Sequence, residues 1–296
     1  QMGKSTIFMS WAAGAIILFC LFSLISTSHD INKLTHNRDF LQQNVTSDPN
    51  SDGSIDTSTS IIITSNLIPT HPSLDMINET IHSLRHHLLG LPSDAPLFLS
   101  VDGIHKNDAE DKSKQERLNQ YIHNLHHATF PFTNVTIIPA PRHLHIARTV
   151  RQALDMVQTK FVYVIQHDLP FSRDVYHSEL VQAMFEHPTT LRIVLFKLEN
   201  AIGRFPVCPV HNNKGEYPRE EYEMLDFYAT KRWSDNNHLT TKAYYDEMFD
   251  TVDHLMGAIE WGMMGPAKSN CSYWGQVVYG KRDENYLKHL DGRLTQ

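Results

Sequence analysis

The chain of 296 residues carries 26 Lys and Arg against 33 Asp and Glu, a net charge of −7, with no block of basic residues. That balance argues against a nucleic-acid-binding surface, and the length suits one large domain or two small ones. Three cysteines without a Cys-x-x-Cys spacing give no cysteine zinc pattern.

Residues 7–25 form a nearly unbroken apolar run behind Lys4, about the length of a membrane helix, and no acidic residue precedes Asp30. The run reads as an uncleaved signal anchor with a cytoplasmic tip over residues 1–28. The alternative is a cleaved secretory signal ending near Ser26-Thr27-Ser28. Either way the bulk of the chain enters the secretory lumen. Residues 29–60 are polar and rich in Ser, Thr, Asn and Asp, the composition of a flexible stem. Asn44, Asn78, Asn134 and Asn270 head Asn-x-Ser/Thr sequons, candidate glycosylation sites in a lumenal protein. Cys20 falls in the apolar run, which leaves Cys208–Cys271 as the one disulfide open to the lumenal part.

From Ile61 onward strands alternate with helices. Residues 61–64 read as a β-branched strand. Ser73 is placed to cap a helix over 74–88, whose Ile77, Ile81, Leu84 and Leu88 make an apolar stripe. Strands follow at 96–101 and 135–138, with a charged mobile insertion at 106–115 and an amphipathic helix at 117–127. A helix over 146–157 leads into the five apolar residues 161–165, a fully buried strand. Ser178 is placed to cap a helix over 179–186 before a fifth strand at 191–197. This alternation implies an α/β fold, a mostly parallel sheet flanked by helices. Residues 61–199 would form a nucleotide-binding half. Residues 200–296, with an irregular stretch to 240 and a helix at 240–254, would shape the acceptor side without extending the sheet.

Ligands of such sheets bind beyond the carboxyl ends of the strands. There stand Thr64, Ser65 and Asn66, then Asp102 before Gly103, then Gln166-His167-Asp168. Arg148 lies in Ile146-Ala147-Arg148, ahead of the last of these, with Arg151, Arg142 and His143 as competitors. Glu260 lies in Ala258-Ile259-Glu260-Trp261-Gly262; apolar and aromatic flanks are the setting that raises a carboxyl pKa and suits a base. Glu223 and Asp226 compete with it.

Over residues 61–290 this order resembles glycosyltransferases of the GT-A fold, particularly the family-2-like group. The stem behind an anchor also looks like Golgi enzymes. The resemblance implies a Rossmann-like sheet and a nucleotide-diphospho-sugar donor held by Thr64, Asn66, Asp102, Arg148, His167 and Asp168. It implies a divalent cation, Mn²⁺ or Mg²⁺, on Asp168 with His289 as a further ligand, and Glu260 as the base of an inverting, hexosyltransferase-like reaction. The family pattern is Asp-x-Asp; Gln166 replaces its first carboxylate, which puts metal dependence in question. The acceptor would be a glycan, protein or lipid, and the setting a single-pass type II protein of the Golgi or ER membrane. Chemically, a cation offsets charge on the departing diphosphate and a carboxylate takes the acceptor's proton. Trp261, Tyr273 and Trp274 could stack on sugar rings, and Arg293 could face the diphosphate. Two further readings stand beside this one. The first is a metal-dependent hydrolase using His167, Asp168, His211 and His238. The second is a lumenal protein that binds nucleotide sugars without turnover.

Overall fold

A computed structural model describes residues 57–199, 206–209, 215–218, 221–222, 225–251 and 257–291. The anchor over 1–28, the stem up to residue 56, Asn44, His211, Glu223 and Arg293 lie outside the described residues. Among those described, no helix is long and apolar enough to cross a membrane.

In chain order the strands are β1 (Thr59–Ser65), β2 (Leu88–Leu89), β3 (Leu97–Val101), β4 (Val135–Pro139), β5 (Phe161–Gln166), β6 (Val175–Tyr176), β7 (Ile193–Leu195), β8 (Phe227–Ala229), β9 (His238–Thr241) and β10 (Val277–Tyr279). The helices are α1 (Asp75–His87), α2 (Lys112–His127), α3 (His145–Leu154), α4 (His177–Glu186), α5 (Lys242–Thr251), α6 (Ile259–Ser269) and α7 (Cys271–Trp274). Eight strands make one sheet, in the order β4-β3-β1-β5-β9-β7-β10-β8. The first four are mutually parallel, and only β9 and β8 run against the rest. The expected mostly parallel α/β sheet flanked by helices is therefore present.

Period-two alternation explains the layering. Ile61, Ile63, Leu97, Leu99, Tyr163 and Ile165 pack on one face with the buried residues of α1, α2 and α4. Ile62, Phe98, Val162 and Val164 pack on the other with α3, α5, α6 and α7. Because β5 is covered on both faces, its run of five apolar residues carries no polar alternation.

Several expectations are corrected. The C-terminal part does extend the sheet: β9, β10 and β8 all belong to it, and β9 inserts antiparallel between β5 and β7. His238–Thr241 is too short, and buries too many consecutive residues, to show a strand period. The 106–115 insertion is ordered. Lys106–Asp108 form a 3-10 turn, Asp111 accepts the Lys114 N–H as the cap of α2, and Lys114 pairs with Asp108 at 2.7 Å. Helix α1 is capped at Leu74, although Ser73 Oγ still accepts the Asp75 N–H at 3.1 Å. Ser178 lies inside the first turn of α4, and α3 stops at Leu154. Cys208 and Cys271 are joined as a disulfide, with a Cα separation of 5.9 Å.

Candidate functional site

The carboxyl ends of β1, β3 and β5 open into a cleft of about 270 Å³. It is lined by Thr64, Asn66, Asp102, His167 and Asp168, together with Gln166, His143, His145 and Thr149. A second cavity of about 450 Å³ adjoins it through Asn66 and His143, between the loops that follow β1 and β3. Five of the residues expected at the donor site thus converge. Arg148 does not: on α3 the lining residues are His145, Ile146 and Thr149, and Arg148 is exposed on another side of the helix. Arg151 pairs with Asp155 and Asp246.

Asp102 is committed to the protein itself. Its Oδ1 accepts N–H bonds from Gly103 at 2.8 Å and Leu144 at 2.7 Å. Its Oδ2 accepts from the His145 N–H at 3.1 Å and faces His143 Nδ1 at 2.7 Å. These donors use the carboxylate's four acceptor sites, so the expected contact from Asp102 to a nucleobase or ribose is corrected. The side chain instead caps α3 from 42 residues upstream, which satisfies first-turn amides and places a negative charge at the helix N-terminus. It also holds His145 at φ 61°, an unusual conformation for a residue with a Cβ. Gly103 is required beside it: a Cβ there would lie 2.3 Å from the Arg142 carbonyl carbon.

Gln166 explains its own departure from the Asp-x-Asp pattern. Its Nε2 donates to the Asp235 carbonyl at 2.9 Å, a bond that a carboxylate could not make. Its backbone N–H donates to Asn237 Oδ1 at 2.9 Å, and Asn237 Nδ2 donates to the Leu169 carbonyl at 2.6 Å. The end of β5 is therefore fastened to the segment leading into β9. His167 is buried and donates Nδ1–H toward the Thr64 carbonyl at 3.3 Å. Burial lowers its pKa against the opposing charge of Asp168, so it stands in the wall as a neutral ring.

Asp168 Oδ2 lies 3.3 Å from His289 Nε2. Residues 286–290 run antiparallel to 168–172. The Leu290 N–H donates to the Asp168 carbonyl, the Lys288 N–H to Pro170, and the Ser172 N–H to Tyr286. This backbone ladder delivers His289, 121 residues away in sequence, to Asp168 at the cleft edge. Among the described residues no group of three His, Cys, Asp or Glu could hold a metal ion. The pair nevertheless fits a cation that takes its remaining ligands from a bound diphosphate and water. Imidazole favours Mn²⁺ over Mg²⁺ in such a set. The cleft lining contains two carboxylates and no Lys or Arg, so a diphosphate there needs a cation to offset its charge.

Glu260 lies in the first turn of α6 and is not among the residues that line the cleft. Its N–H donates to Asp235 Oδ1 at 2.9 Å, and the Ala147 N–H donates to the Gly257 carbonyl at 3.2 Å. The apolar enclosure expected around the carboxylate is absent: Trp261 projects into solvent, and Arg232 lies 3.5 Å from Oε1. The perturbed carboxyl is Asp235, raised from 3.8 to about 7 by burial and by the charge of Glu260, against the N–H bond from Glu260. Asp235 sits in Ser234-Asp235-Asn236-Asn237, which reads as an ordinary polar turn, so sequence alone gave no signal for it.

Between about pH 4 and pH 7 the folded state keeps a proton on Asp235 that the unfolded chain has already released. Its contribution is full below about pH 4 and is lost as pH rises to about 7, by up to about 4 kcal/mol. Asp235→Asn is expected to flatten this fall: thermal melts from pH 4 to 8 should show the variant gaining on the parent. Parallel curves for the two would mean that Asp235 ionises as an ordinary surface carboxylate.

Other candidates fall away. His238 donates Nδ1–H to the Asn236 carbonyl and accepts from Tyr245 at Nε2, both at 2.7 Å, which removes it from any hydrolase site. Asp226 heads β8, four strands or about 19 Å from β5. Tyr273 bonds Glu247 and packs against Arg192, and Trp274 is buried; neither offers a free ring face. Asn134 and Asn270 are exposed, whereas Asn78 is half-buried within α1.

No family model and no curated protein matches the chain. Among solved structures, Staphylococcus aureus TarS 1–349 aligns with a TM-score of 0.45 and 12% identity over 78% of this chain and 60% of that one. The same protein in complex with UDP-GlcNAc gives 0.44 and 12%, over 80% and 60%. GalNAc-T7 with UDP, GalNAc and Mn²⁺ gives 0.49 and 10%, over 79% and 44%. The chain spans from under half to three-fifths of the length of these structures. At such similarity the function is judged from the cleft's own residues.

Proposed function

We propose that the chain transfers a sugar from a nucleotide-diphosphate donor to an acceptor hydroxyl. The observation that carries this is the cleft at the ends of β1, β3 and β5, where Asp168 in the lining meets His289; Glu260 is joined to the lining residue Gln166 through Asp235, two hydrogen bonds away. The nucleoside would occupy the larger cavity beside Asn66 and the diphosphate the cleft edge at Asp168. Asp168 and His289 would hold a divalent cation, Mn²⁺ before Mg²⁺, which would supply charge neutralisation to the departing diphosphate. Glu260, paired with Arg232, would take the acceptor's proton in an inverting reaction. Asp102 would act by positioning the loop at His143 and His145.

A lumenal setting in the Golgi or ER, behind a type II anchor over residues 7–25, fits the Cys208–Cys271 disulfide, which forms in oxidising compartments. It also fits the exposed sequons at Asn134 and Asn270.

The deciding measurement is a thermal-shift screen of UDP- and GDP-sugars with and without Mn²⁺. A ligand present at a hundred times its Kd adds about 2.7 kcal/mol, or roughly 5–10 °C in a domain of this size. The shift should require Mn²⁺ and disappear in Asp168→Ala. No shift with any nucleotide sugar would remove the proposal.

A further inference from the structure

Among the described residues Lys197, just beyond β7, is the one buried lysine or arginine, 1% exposed. Its Nζ donates to the Arg282 carbonyl, and its own carbonyl accepts the N–H groups of Tyr286 at 2.8 Å and Leu287 at 3.1 Å. Burial lowers its pKa, and the charges of Asp283 and Glu284 oppose that. A cation this deep is tolerated only where partners meet it, and these partners come from one segment, residues 281–290. The segment turns in at Gly280, whose φ of 83° and lack of a Cβ leave room for the Tyr286 ring. Leu287 is fully buried and bridges Phe171 on one side and Leu198 on the other.

The same segment carries His289 to Asp168. The His289 side chain is 56% exposed, so little packing of its own holds it there. Its place is set by the residues before it, which run from the Lys197 grip through Leu287 to the ladder with 168–172. We infer that Lys197 is a positioning residue for His289: it latches residues 281–290 to the end of the sheet, and the latch sets how tightly Asp168 and His289 hold a divalent cation. The cation rests on the glycosyl-transfer reading; the latch does not. A cation that needs both ligands binds only the docked segment, so its apparent affinity falls with the docked fraction. An apolar side chain at 197 would leave the Arg282 carbonyl without this donor, and Asp283 and Glu284 without the ammonium beside them. The segment would then gain by moving out to water.

The test is hydrogen exchange on the full chain, read by mass spectrometry, in the parent, Lys197→Met and His289→Ala. Without metal or nucleotide, the amides of 286–290 in Lys197→Met are expected to exchange about ten- to hundredfold faster, the worth of a hydrogen bond to a charged group, while β1 and β5 exchange as in the parent. The Mn²⁺ concentration that gives half of the Tm shift with a nucleotide sugar should rise about tenfold or more in Lys197→Met, and the full shift should return at saturating Mn²⁺. His289→Ala should raise that concentration too, but with the segment still protected, which separates the ligand from the latch. Lys197→Gln keeps a donor and drops the charge; it replaces Lys197→Met if that variant does not fold, and is expected to move the same way. Exchange at 286–290 that is unchanged, or raised no more than in β1 and β5, overturns the latch. Faster exchange with an unchanged Mn²⁺ requirement overturns its role toward His289. If no nucleotide sugar binds the parent, the transfer reading itself fails, and the exchange result still decides the latch.

Discussion

Glu260→Gln is expected to slow sugar transfer by about a hundredfold to ten-thousandfold while the Mn²⁺-dependent Tm shift with nucleotide sugar stays as in the parent. The amide preserves shape and volume but cannot accept the proton that the acceptor hydroxyl must lose. It should also leave the fold intact. The bond that ties residue 260 to Asp235 uses the backbone N–H, and the Arg232 pair is half-exposed, so losing it removes little stability. The donor side, at Asp168 and His289, does not include Glu260. Transfer at the parent rate would remove Glu260 as base and turn attention to Asp235, the neighbouring carboxyl already raised to about 7. Loss of both transfer and nucleotide binding would instead assign Glu260 to the architecture of the cleft.

Opening the Cys208–Cys271 bond is the second large effect. The disulfide closes a loop across 63 positions, for which chain entropy predicts about 4 kcal/mol of stabilisation. For a domain of this size that corresponds to roughly 8–16 °C in Tm. The bond ties the segment before β8 to α7, next to the helix that carries Glu260. Cys208→Ser with Cys271→Ser should therefore melt well below the parent, as should the parent under reducing conditions. Equal melting temperatures for the oxidised and doubly substituted proteins would show that the link adds nothing to this fold.

The first half of the fold was legible because its physics is local. β1, β3, β4 and β5 are short apolar runs ended by polar residues, and α1 and α3 carry buried stripes at helical spacing. Thr64, Asn66, Asp102, His167 and Asp168 could be placed together since parallel strands send their carboxyl ends to one edge. What escaped were effects of distance along the chain. Nothing near Asp102 indicates that its carboxylate will be consumed by amides 42 and 43 residues later. Nothing near Asp235 shows that it will lie beside Glu260, or that its carbonyl will accept a hydrogen bond from Gln166. Arg148 was misplaced by one helical position, which is enough to turn a side chain from a cleft to solvent. The strand β9 was missed since three consecutive buried residues in a four-residue strand carry no period.

The placement of β9 also bears on how the protein is made. Residues 238–241 separate β5 from β7, and the strand pairs with Phe161–Val164 on one side and Ile193–Leu195 on the other. During synthesis β5 can join β1 as soon as it emerges, yet its outer edge stays unpaired until about 75 further residues have left the ribosome. The sheet is then closed from the middle, by a late strand entering between two earlier ones. Pairings this remote are slow, and an apolar edge left open meanwhile is a template for other chains. The passage from residue 166 to residue 238 is thus the interval in which a nascent chain most needs protection from its neighbours.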